Sequence, residues 1–303
     1  MKKISLFILG ASMGCVMLNN TTIAQSSASV LRFGFYTKDL GKSSIKETDE
    51  SFKRWVETIK SNTKVNVLSS AIMKNNFYDS KESLVEDIKK NKLDFMNIST
   101  FNFFDLDLQG TIIPMLTTSK VKESKFERYF LVAHKNSPVE DITNLNNARV
   151  FIPNSFSFQL QKIWLQVELK NKLKPADYAK IEIAETNKKG NEALFAIFFK
   201  KMDYAVVRED IYLLACELNA QIKRQTKVIA TSNKFINNFF ARRKDVDPEI
   251  YKEIVKIGMN LDKTVEGKQI LNLMQMNSIH EISIADLQET ESLIKQYKKI
   301  FGK

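Results

Sequence analysis

One sequence unit occurs twice in this chain, and it constrains the fold more than any other feature. Residues 84–98 and 193–207 each begin with an apolar helical pattern, pass through a Lys-apolar-Asp triplet at 92–94 and 201–203, and end in an apolar run of strand length. Alternation of helices with buried strands is typical of parallel sheet layers in α/β proteins. Its recurrence predicts two lobes of the α/β class, each with a mainly parallel sheet flanked by helices.

The rest of the chain continues this alternation. Alternating and continuous apolar runs predict strands at 31–36, 65–68, 94–99, 128–134, 149–152, 203–208, 228–230 and 238–241. Apolar residues at helical spacing predict helices at 50–59, 84–88, 157–173, 248–257, 264–274 and 286–300. With 44% hydrophobic and 27% charged residues over 303 positions, the chain is long and apolar enough for two globular cores.

The first residues predict export. Two lysines precede an apolar run over residues 4–18, and residues 22–24 (Thr-Ile-Ala) place small side chains at the first and third positions before a cleavage site. This pattern is typical of a cleaved secretory signal peptide, here residues 1–24. We therefore expect the mature protein in the periplasm.

Two alternatives to a cleaved signal peptide remain open. One is an uncleaved anchor, although the apolar run is shorter than the ~20 residues of a transmembrane helix. The other is a lipoprotein attached through Cys15, which follows a glycine as in lipid-attachment sites. Ser12 and Met13 stand where such sites usually carry leucine and a small residue, so a cleaved signal is favoured.

Charge and composition disfavour nucleic acid as a partner and a metal as a cofactor. The net charge of +11 is spread along the chain, and the longest basic block is the triplet at 242–244. Nucleic-acid binders usually concentrate basic residues and stacking aromatics on one face, whereas a diffuse excess favours a negatively charged solute. His134 and His280, the two histidines of the chain, are isolated in sequence, which excludes a histidine-rich metal site. We expect no cofactor.

The common catalytic motifs are absent from the sequence. It contains no G-x-S-x-G around Ser137, Ser155 or Ser157, no G-x-x-x-x-G-K-[ST] and no G-x-G-x-x-G. Neither histidine lies in a nucleophile-elbow context. The sequence therefore predicts a binding protein and not an enzyme.

Two strand-to-helix junctions are suited to anion binding. Residues 153–157, which include Ser155 and Ser157, lie between a predicted strand and a long predicted helix, and residues 97–100, with Ser99 and Thr100, hold the equivalent place in the other half. A helix N-terminus offers free N–H groups and the positive end of the helix dipole, and the hydroxyls add donors. The alternative, that a serine merely caps its helix, is equally compatible with this pattern.

Residues 131–139, a hydrophobic strand that ends in a Lys-Asn-Ser-Pro turn, are followed by Ile142, Leu145 and a strand at 149–151. Together with segments in family order at 93–94, 155–157, 191–194 and 202–203, this stretch resembles the phosphate/phosphite/phosphonate-type periplasmic substrate-binding proteins of ABC transporters. These proteins form a branch of the type II periplasmic-binding fold. The resemblance covers about residues 31–297, and the order of the motifs carries most of its weight.

The resemblance implies two lobes with a ligand cleft between them. It implies lobe 1 from residues 25–130 and 237–303, lobe 2 from 131–236, and closure about the strands near 129–134 and 231–238. The implied function is capture of a small anion, such as a phosphate or phosphonate, by a monomer that delivers it to an ABC permease. The alternative is a sensing or protein-interaction module that keeps the fold but no longer serves transport.

By position, the resemblance also implies a set of ligand-binding residues: Ser155, Ser157, Tyr78, Ser99, Thr100, Asn191 and Arg208. Four positions depart from the family pattern: Phe156 replaces a threonine, Phe158 a glycine, Asn191 a histidine and Arg208 an acidic residue. Loss of the acid removes the partner of a ligand amine. Arg208 could instead clamp a carboxylate, sulfonate or phosphate through two parallel hydrogen bonds, or form a salt bridge at the helix start.

Overall fold

The computed structural model describes residues 29–40, 45–121, 124–153 and 158–302. The predicted signal peptide, Cys15 and the serines at 155 and 157 lie outside these ranges. In chain order the strands are β1 (Val30–Tyr36), β2 (Ile72–Tyr78), β3 (Phe95–Ser99), β4 (Ile112–Ser119), β5 (Tyr129–His134), β6 (Arg149–Pro153), β7 (Glu182–Thr186), β8 (Tyr204–Arg208), β9 (Thr226–Thr231), β10 (Asn238–Arg243) and β11 (Ser278–Glu281).

The α-helices of the described ranges are α1 (Ile45–Asn62), α2 (Asn66–Ser70), α3 (Lys81–Lys89), α4 (Thr100–Asp105), α5 (Phe158–Lys172), α6 (Pro175–Tyr178), α7 (Gly190–Phe198), α8 (Glu209–Leu218), α9 (Ala220–Gln225), α10 (Pro248–Met259), α11 (Val265–Leu273) and α12 (Gln288–Phe301). Short 3-10 turns lie at Thr37–Leu40, Ile142–Asn144, Leu261–Lys263 and Ile284–Leu287. None of the helices in this part of the chain is long and apolar enough to cross a membrane.

The repeated sequence unit has the same local structure in both copies. Helix α3 is followed by Asn91 at φ 55°, and helix α7 by Lys200 at the same φ, so both copies leave the helix through one left-handed residue. Such a residue lets the chain turn back from the helix end. The Lys-apolar-Asp triplet then leads into a buried strand, β3 in one copy and β8 in the other.

Two sheets form the centres of two lobes. In lobe 1 the strand order is β11-β4-β10-β3-β1-β2, and in lobe 2 it is β7-β6-β8-β5-β9. Strand β1 pairs in parallel with β2 and β3, and β6 in parallel with β7 and β8. Helices pack on both sheets, which confirms the two-lobed α/β class.

Both sheets are mixed, and neither is mainly parallel. Strand β5 runs antiparallel to β8 and β9, while β10 runs antiparallel to β3 and β4. The reason is the direction of entry. The parallel strands run toward the cleft, whereas β5 and β10, which follow a crossing between the lobes, enter their sheets from the cleft side. The edge strand β11 follows α11 and is also antiparallel to its neighbour β4.

The prediction of a strand at 65–68 was wrong. Residues 66–70 form helix α2, and the strand of this region is β2, which begins at Ile72. Strand β2 lies at the edge of its sheet and carries Lys74, Asn75 and Asn76 in its centre, so it lacks the apolar pattern of a central strand.

The crossing segments run side by side, and one helix packs on both lobes. Glu127 and Phe235 exchange two backbone hydrogen bonds with N···O distances of 2.8 Å. These bonds join the segment that leaves lobe 1 to the segment that returns to it. On the opposite side of this link, Leu293 and Tyr297 of α12 pack into the lobe 2 core, and Ile294 packs into a lobe 1 core. Helix α12 therefore contacts both lobes.

Candidate ligand-binding cleft

A cavity of about 560 Å³ lies between the two lobes. Lobe 1 contributes the cleft ends of its central strands together with α1 and the residues after α11. Lobe 2 contributes the ends of β6 and β8 and the first turns of α7 and α8. A concave site of this size, with apolar walls and a few converging polar groups, is typical of small-molecule binding.

The floor of the cavity is one face of the lobe 1 sheet. Residues Phe33 and Phe35 of β1 lie opposite Phe95 and Asn97 of β3, and Asn97 in turn lies opposite Phe240 of β10. Because side chains alternate along a strand, these residues project from the same face. Asn238, two residues before Phe240, projects from that face as well. The amides therefore lie at the cleft end of the floor and Phe33 and Phe95 lie deeper.

The amides of Asn97 and Asn238 have no hydrogen-bond partner in the described part of the protein, although 7% and 8% of the two residues is exposed. Both residues line the cavity. Neither amide is among the buried side-chain N and O atoms of the described ranges that lack a partner, so the polar atoms of both residues reach the surface of the cavity. Each amide offers both donors and an acceptor. They are therefore placed to bind polar groups of a ligand.

A lysine of lobe 1 and an arginine of lobe 2 bring positive charge to the cavity. Lys120 follows β4, and within the described ranges its ammonium has no ion pair. Lys120 is exposed by its accessible surface, but partial desolvation by the cleft walls lowers its pKa, and the positive charge of Arg208 lowers it further, against the opposing effect of Glu127 and Asp210. An anion bound beside Lys120 would relieve this repulsion.

Arg208 is buried, with 7% of the residue exposed, and it is held by two carboxylates. Its Nε donates to Oδ1 of Asp210 at 2.8 Å, its Nη2 donates to Oδ2 of the same carboxylate, and its Nη1 lies 3.7 Å from Glu127 Oε1. Burial opposes the charged form, but Glu127 and Asp210 more than compensate and raise the pKa of Arg208. The two parallel hydrogen bonds expected for a ligand are thus made to Asp210.

The first turn of α7 supplies the remaining lobe 2 wall. Lys189, Gly190 and Asn191 line the cavity, and the ammonium of Lys189 forms no ion pair in the described structure. A Cβ on Gly190 would lie 2.7 Å from Ile211 Cδ1, so the absence of a side chain lets α7 approach α8 closely. The backbone N–H of Lys189 donates to Glu192 Oε2 at 2.9 Å.

Ser99 and Thr100 are brought together at the start of α4, but they do not line the cavity. The backbone N–H of Ser99 donates to Asp39 Oδ2 at 2.8 Å, and the Asn102 amide donates to both oxygens of Asp39 at 2.9 and 3.0 Å. Burial raises the pKa of Asp39, although these hydrogen bonds act in the opposite direction. A carboxylate of the protein thus occupies this helix start, and Thr100 is fully buried.

Tyr78 also lies away from the cavity. It is buried at the end of β2, and its hydroxyl donates to Asp87 Oδ2 at 2.9 Å. Of the seven residues predicted to bind the ligand, the structure brings Asn191 and Arg208 to the cavity and places Tyr78, Ser99 and Thr100 elsewhere in lobe 1. Ser155 and Ser157 are outside the described residues.

Sequence reasoning missed Lys120, Asn97 and Asn238 as site residues. Lys120 follows a strand, β4, that the apolar pattern did not reveal. Asn97 could have been recognised, because it is the one polar residue among four in the run 95–98 and has the same strand phase as Phe95. Asn238 begins β10 and is two residues from Phe240, which has the same phase.

Comparison with known proteins agrees with this geometry. Residues 44–287 match the family model described as "ABC transporter, phosphonate, periplasmic substrate-binding protein". A search among curated protein sequences gives no significant match.

Solved structures share the fold at low sequence identity. XAC2383 from Xanthomonas citri bound to chloride ion is 12% identical, with a TM-score of 0.60 over 89% of this chain and 99% of that chain. The same protein bound to ATP is 11% identical, with a TM-score of 0.58 over 89% and 98%. PhnD1 from Prochlorococcus marinus in complex with methylphosphonate is 14% identical, with a TM-score of 0.54 over 90% and 100%.

Proposed function

Because the chain belongs to the periplasmic substrate-binding proteins of phosphonate ABC transporters, we propose that it captures a phosphate- or phosphonate-like oxyanion between its lobes and delivers it to an ABC permease. Family membership implies a solute-binding role, a small-molecule ligand, a permease partner and an extracytoplasmic location. Proteins of this family are typically non-enzymatic. The anionic nature of the solute, the cleaved signal peptide with a periplasmic mature chain, and the monomeric state are parts of the proposal.

The observation that carries the proposal is the unpaired ammonium of Lys120, which lies in the cleft close enough to Arg208 for the charge of the arginine to lower its pKa. Two cations that face one cavity attract an oxyanion and gain charge-assisted hydrogen bonds with it. The ligands in the structures of the two similar proteins, chloride and ATP in XAC2383 and methylphosphonate in PhnD1, share negative charge.

Closure of the lobes would complete the site. Lys120 belongs to lobe 1 and Lys189, Asn191 and Arg208 to lobe 2, so an anion that contacts both sides stabilises the closed form over the open one. The adjacent backbone crossings at Glu127 and Phe235 are the natural axis of this motion. Ser155 and Ser157 remain predicted ligands at the start of α5.

Thermal denaturation with a panel of phosphate, methylphosphonate, sulfonates and carboxylates tests the proposal. Binding raises the free energy of unfolding by mass action, about 2.7 kcal/mol at a ligand concentration of 100 Kd. Isothermal titration of Lys120→Met should then show an affinity about 10-fold or more below that of the wild type, since a hydrogen bond to a charged group is lost. Lys74→Met is the matched control, because Lys74 is an exposed lysine of lobe 1 away from the cleft.

A folded, monodisperse protein that responds to none of these anions would overturn the capture function and favour the interaction-module alternative. Equal affinity of the Lys120→Met and Lys74→Met variants would show that the anion binds elsewhere. The double variant Ser155→Ala, Ser157→Ala should abolish the response to the anion.

A further inference from the structure

The cavity extends beyond its cations into lobe 1, where aromatic side chains form its walls. We call this part the aromatic chamber, and the rings that line it are Phe33, Phe35, Phe52, Trp55, Phe95 and Phe240. Helix α1 supplies one wall and the sheet the other. Phe33 and Trp55 have ring centroids 5.6 Å apart, and Trp55 and Phe240 lie nearly parallel, with centroids 6.4 Å apart and an angle of 22°.

Two of these rings still have exposed surface. Phe33, Phe35, Phe52 and Phe95 are buried, with 7% of their surface or less exposed, whereas Trp55 and Phe240 are half-buried. Three methionines line the same space: Met115, Met274 and Met276. Flexible thioethers adapt to the shape of a partner and make favourable contacts with aromatic rings. The exposed surface of this chamber therefore suits a planar, apolar group.

The volume exceeds the need of a phosphate or methylphosphonate alone. A cavity of about 560 Å³ falls within the range of ~300–1,000 Å³ that is typical of sites for drug-sized molecules. A small oxyanion at Lys120 would leave the exposed surface of Trp55 and Phe240 in contact with water. A ligand that also fills the chamber removes that apolar surface from water.

Polar groups of the protein lie between the part of the cavity that suits an apolar ring and the part that suits an anion. The unpaired amides of Asn97 and Asn238 occupy the cleft end of the sheet face, between the deeper rings and the cations. A ring with nitrogen or oxygen atoms at its edge can satisfy donors and acceptors of both amides. The arrangement from the interior outward is thus aromatic rings, amides and cations.

From this arrangement we infer that the anion taken up by the cleft carries a heteroaromatic ring, which packs in the aromatic chamber while Asn97 and Asn238 hydrogen-bond its edge. This inference rests on the proposed capture of an anion and specifies its chemical class. The ring adds to the affinity by removing apolar surface from water, and the phosphate or phosphonate group fixes its orientation.

Isothermal titration of the purified protein with matched phosphates tests the inference. The pairs are methyl phosphate against phenyl phosphate, and ribose 5-phosphate against adenosine 5′-monophosphate. Burial of one ring predicts that the ring-bearing member of at least one pair binds about 100-fold more tightly. Equal affinities within both pairs would overturn the inference and leave anion capture standing. If none of the four binds but phosphate or methylphosphonate does, the inference fails and the proposed function stands; if those two fail as well, the proposed function is overturned.

Titration of the Phe240→Leu variant tests whether the ring of the ligand binds in the chamber, and Phe77→Leu is the control variant. Both phenylalanines are half-buried in the lobe 1 sheet and contact Phe35, at centroid distances of 6.3 and 5.5 Å, but only Phe240 lines the cavity. Phe240→Leu should lower the ratio of ring-bearing to ring-free affinity about 10-fold, whereas Phe77→Leu should leave that ratio unchanged. An equal effect of both variants, or none, would contradict the assignment of the ring to this chamber.

Discussion

Asn97 is largely buried, and its amide faces the cavity without a protein hydrogen-bond partner, so its replacement by leucine should stabilise the free protein. The substitution removes a polar group that has no protein partner and packs an apolar side chain of similar size against the rings of the chamber. Because the amide atoms of Asn97 are accessible from the cavity, the gain falls at the lower limit of the ~1–3 kcal/mol of a fully buried unpaired group, at about 1 kcal/mol. For a protein of this size, the melting temperature should rise by about 2–4 °C.

Asn102→Leu is the matched comparison with the opposite sign. Asn102 is also a buried asparagine of lobe 1, but its amide donates to Asp39 at 2.9 and 3.0 Å. Its loss removes a hydrogen bond to a charged group, worth about 1.5–3 kcal/mol, and leaves the Asp39 carboxylate short of a donor. The melting temperature should fall by about 3–12 °C.

Circular dichroism melts of both variants without ligand, followed by titration with the tightest-binding phosphate, separate stability from function. Asn97→Leu should be more stable and bind more weakly, since the group kept for the ligand is a cost to the free protein. A fall in melting temperature similar to that of Asn102→Leu would refute the reasoning, because the Asn97 amide would then be paired in the free protein.

Two further predictions concern buried charge. Arg208→Met removes the buried partner of Asp210 and Glu127, so urea denaturation should show a loss of stability of about 3–5 kcal/mol. Arg149→Met breaks an exposed ion pair and should cost about 1 kcal/mol or less. Similar costs of the two variants would contradict the buried ion pair. Burial raises the pKa of Asp39, so the folded state binds the proton of this carboxyl more readily than the unfolded state does. The stability gained from this proton is largest below the ordinary Asp pKa of about 3.9 and declines as the pH rises through the raised pKa. Asp39→Asn removes this titration, so the free energy of unfolding of the wild type relative to the variant should decrease from acid to neutral pH, and a constant or rising difference would show that Asp39 does not titrate in this way.

Local sequence patterns predicted the two-lobed architecture because each copy of the repeated unit consists of contiguous residues. A helix, a left-handed turn and a buried strand follow one another within 84–98 and again within 193–207, and each step depends on neighbours in sequence. Strand β4 was missed because Pro114 and the threonines at 117 and 118 interrupt its apolar run. The antiparallel strands were not foreseen as such, because their direction depends on the crossing between lobes and not on local pattern.

The site was less predictable than the fold because its partners are distant in sequence. At the helix start, the backbone N–H of Ser99 finds its acceptor in Asp39, which lies sixty residues earlier in the sequence. The two hydrogen bonds of Arg208 to Asp210 could be suspected from sequence, but the salt bridge to Glu127 could not. The unpaired state of Lys120 is likewise a property of the assembled cleft.

The place of β10 in its sheet governs the order in which the chain can fold. All strands of lobe 2 fall within residues 129–231, so one continuous stretch of the chain contains the complete sheet of this lobe. Lobe 1 does not, because β10 lies between β3 and β4 and follows the whole of lobe 2 in sequence. A chain that emerges from its N-terminus therefore carries β3 and β4 with open edges until residue 243 appears. We expect lobe 2 to fold first, and the sheet that forms the floor of the cleft to close last.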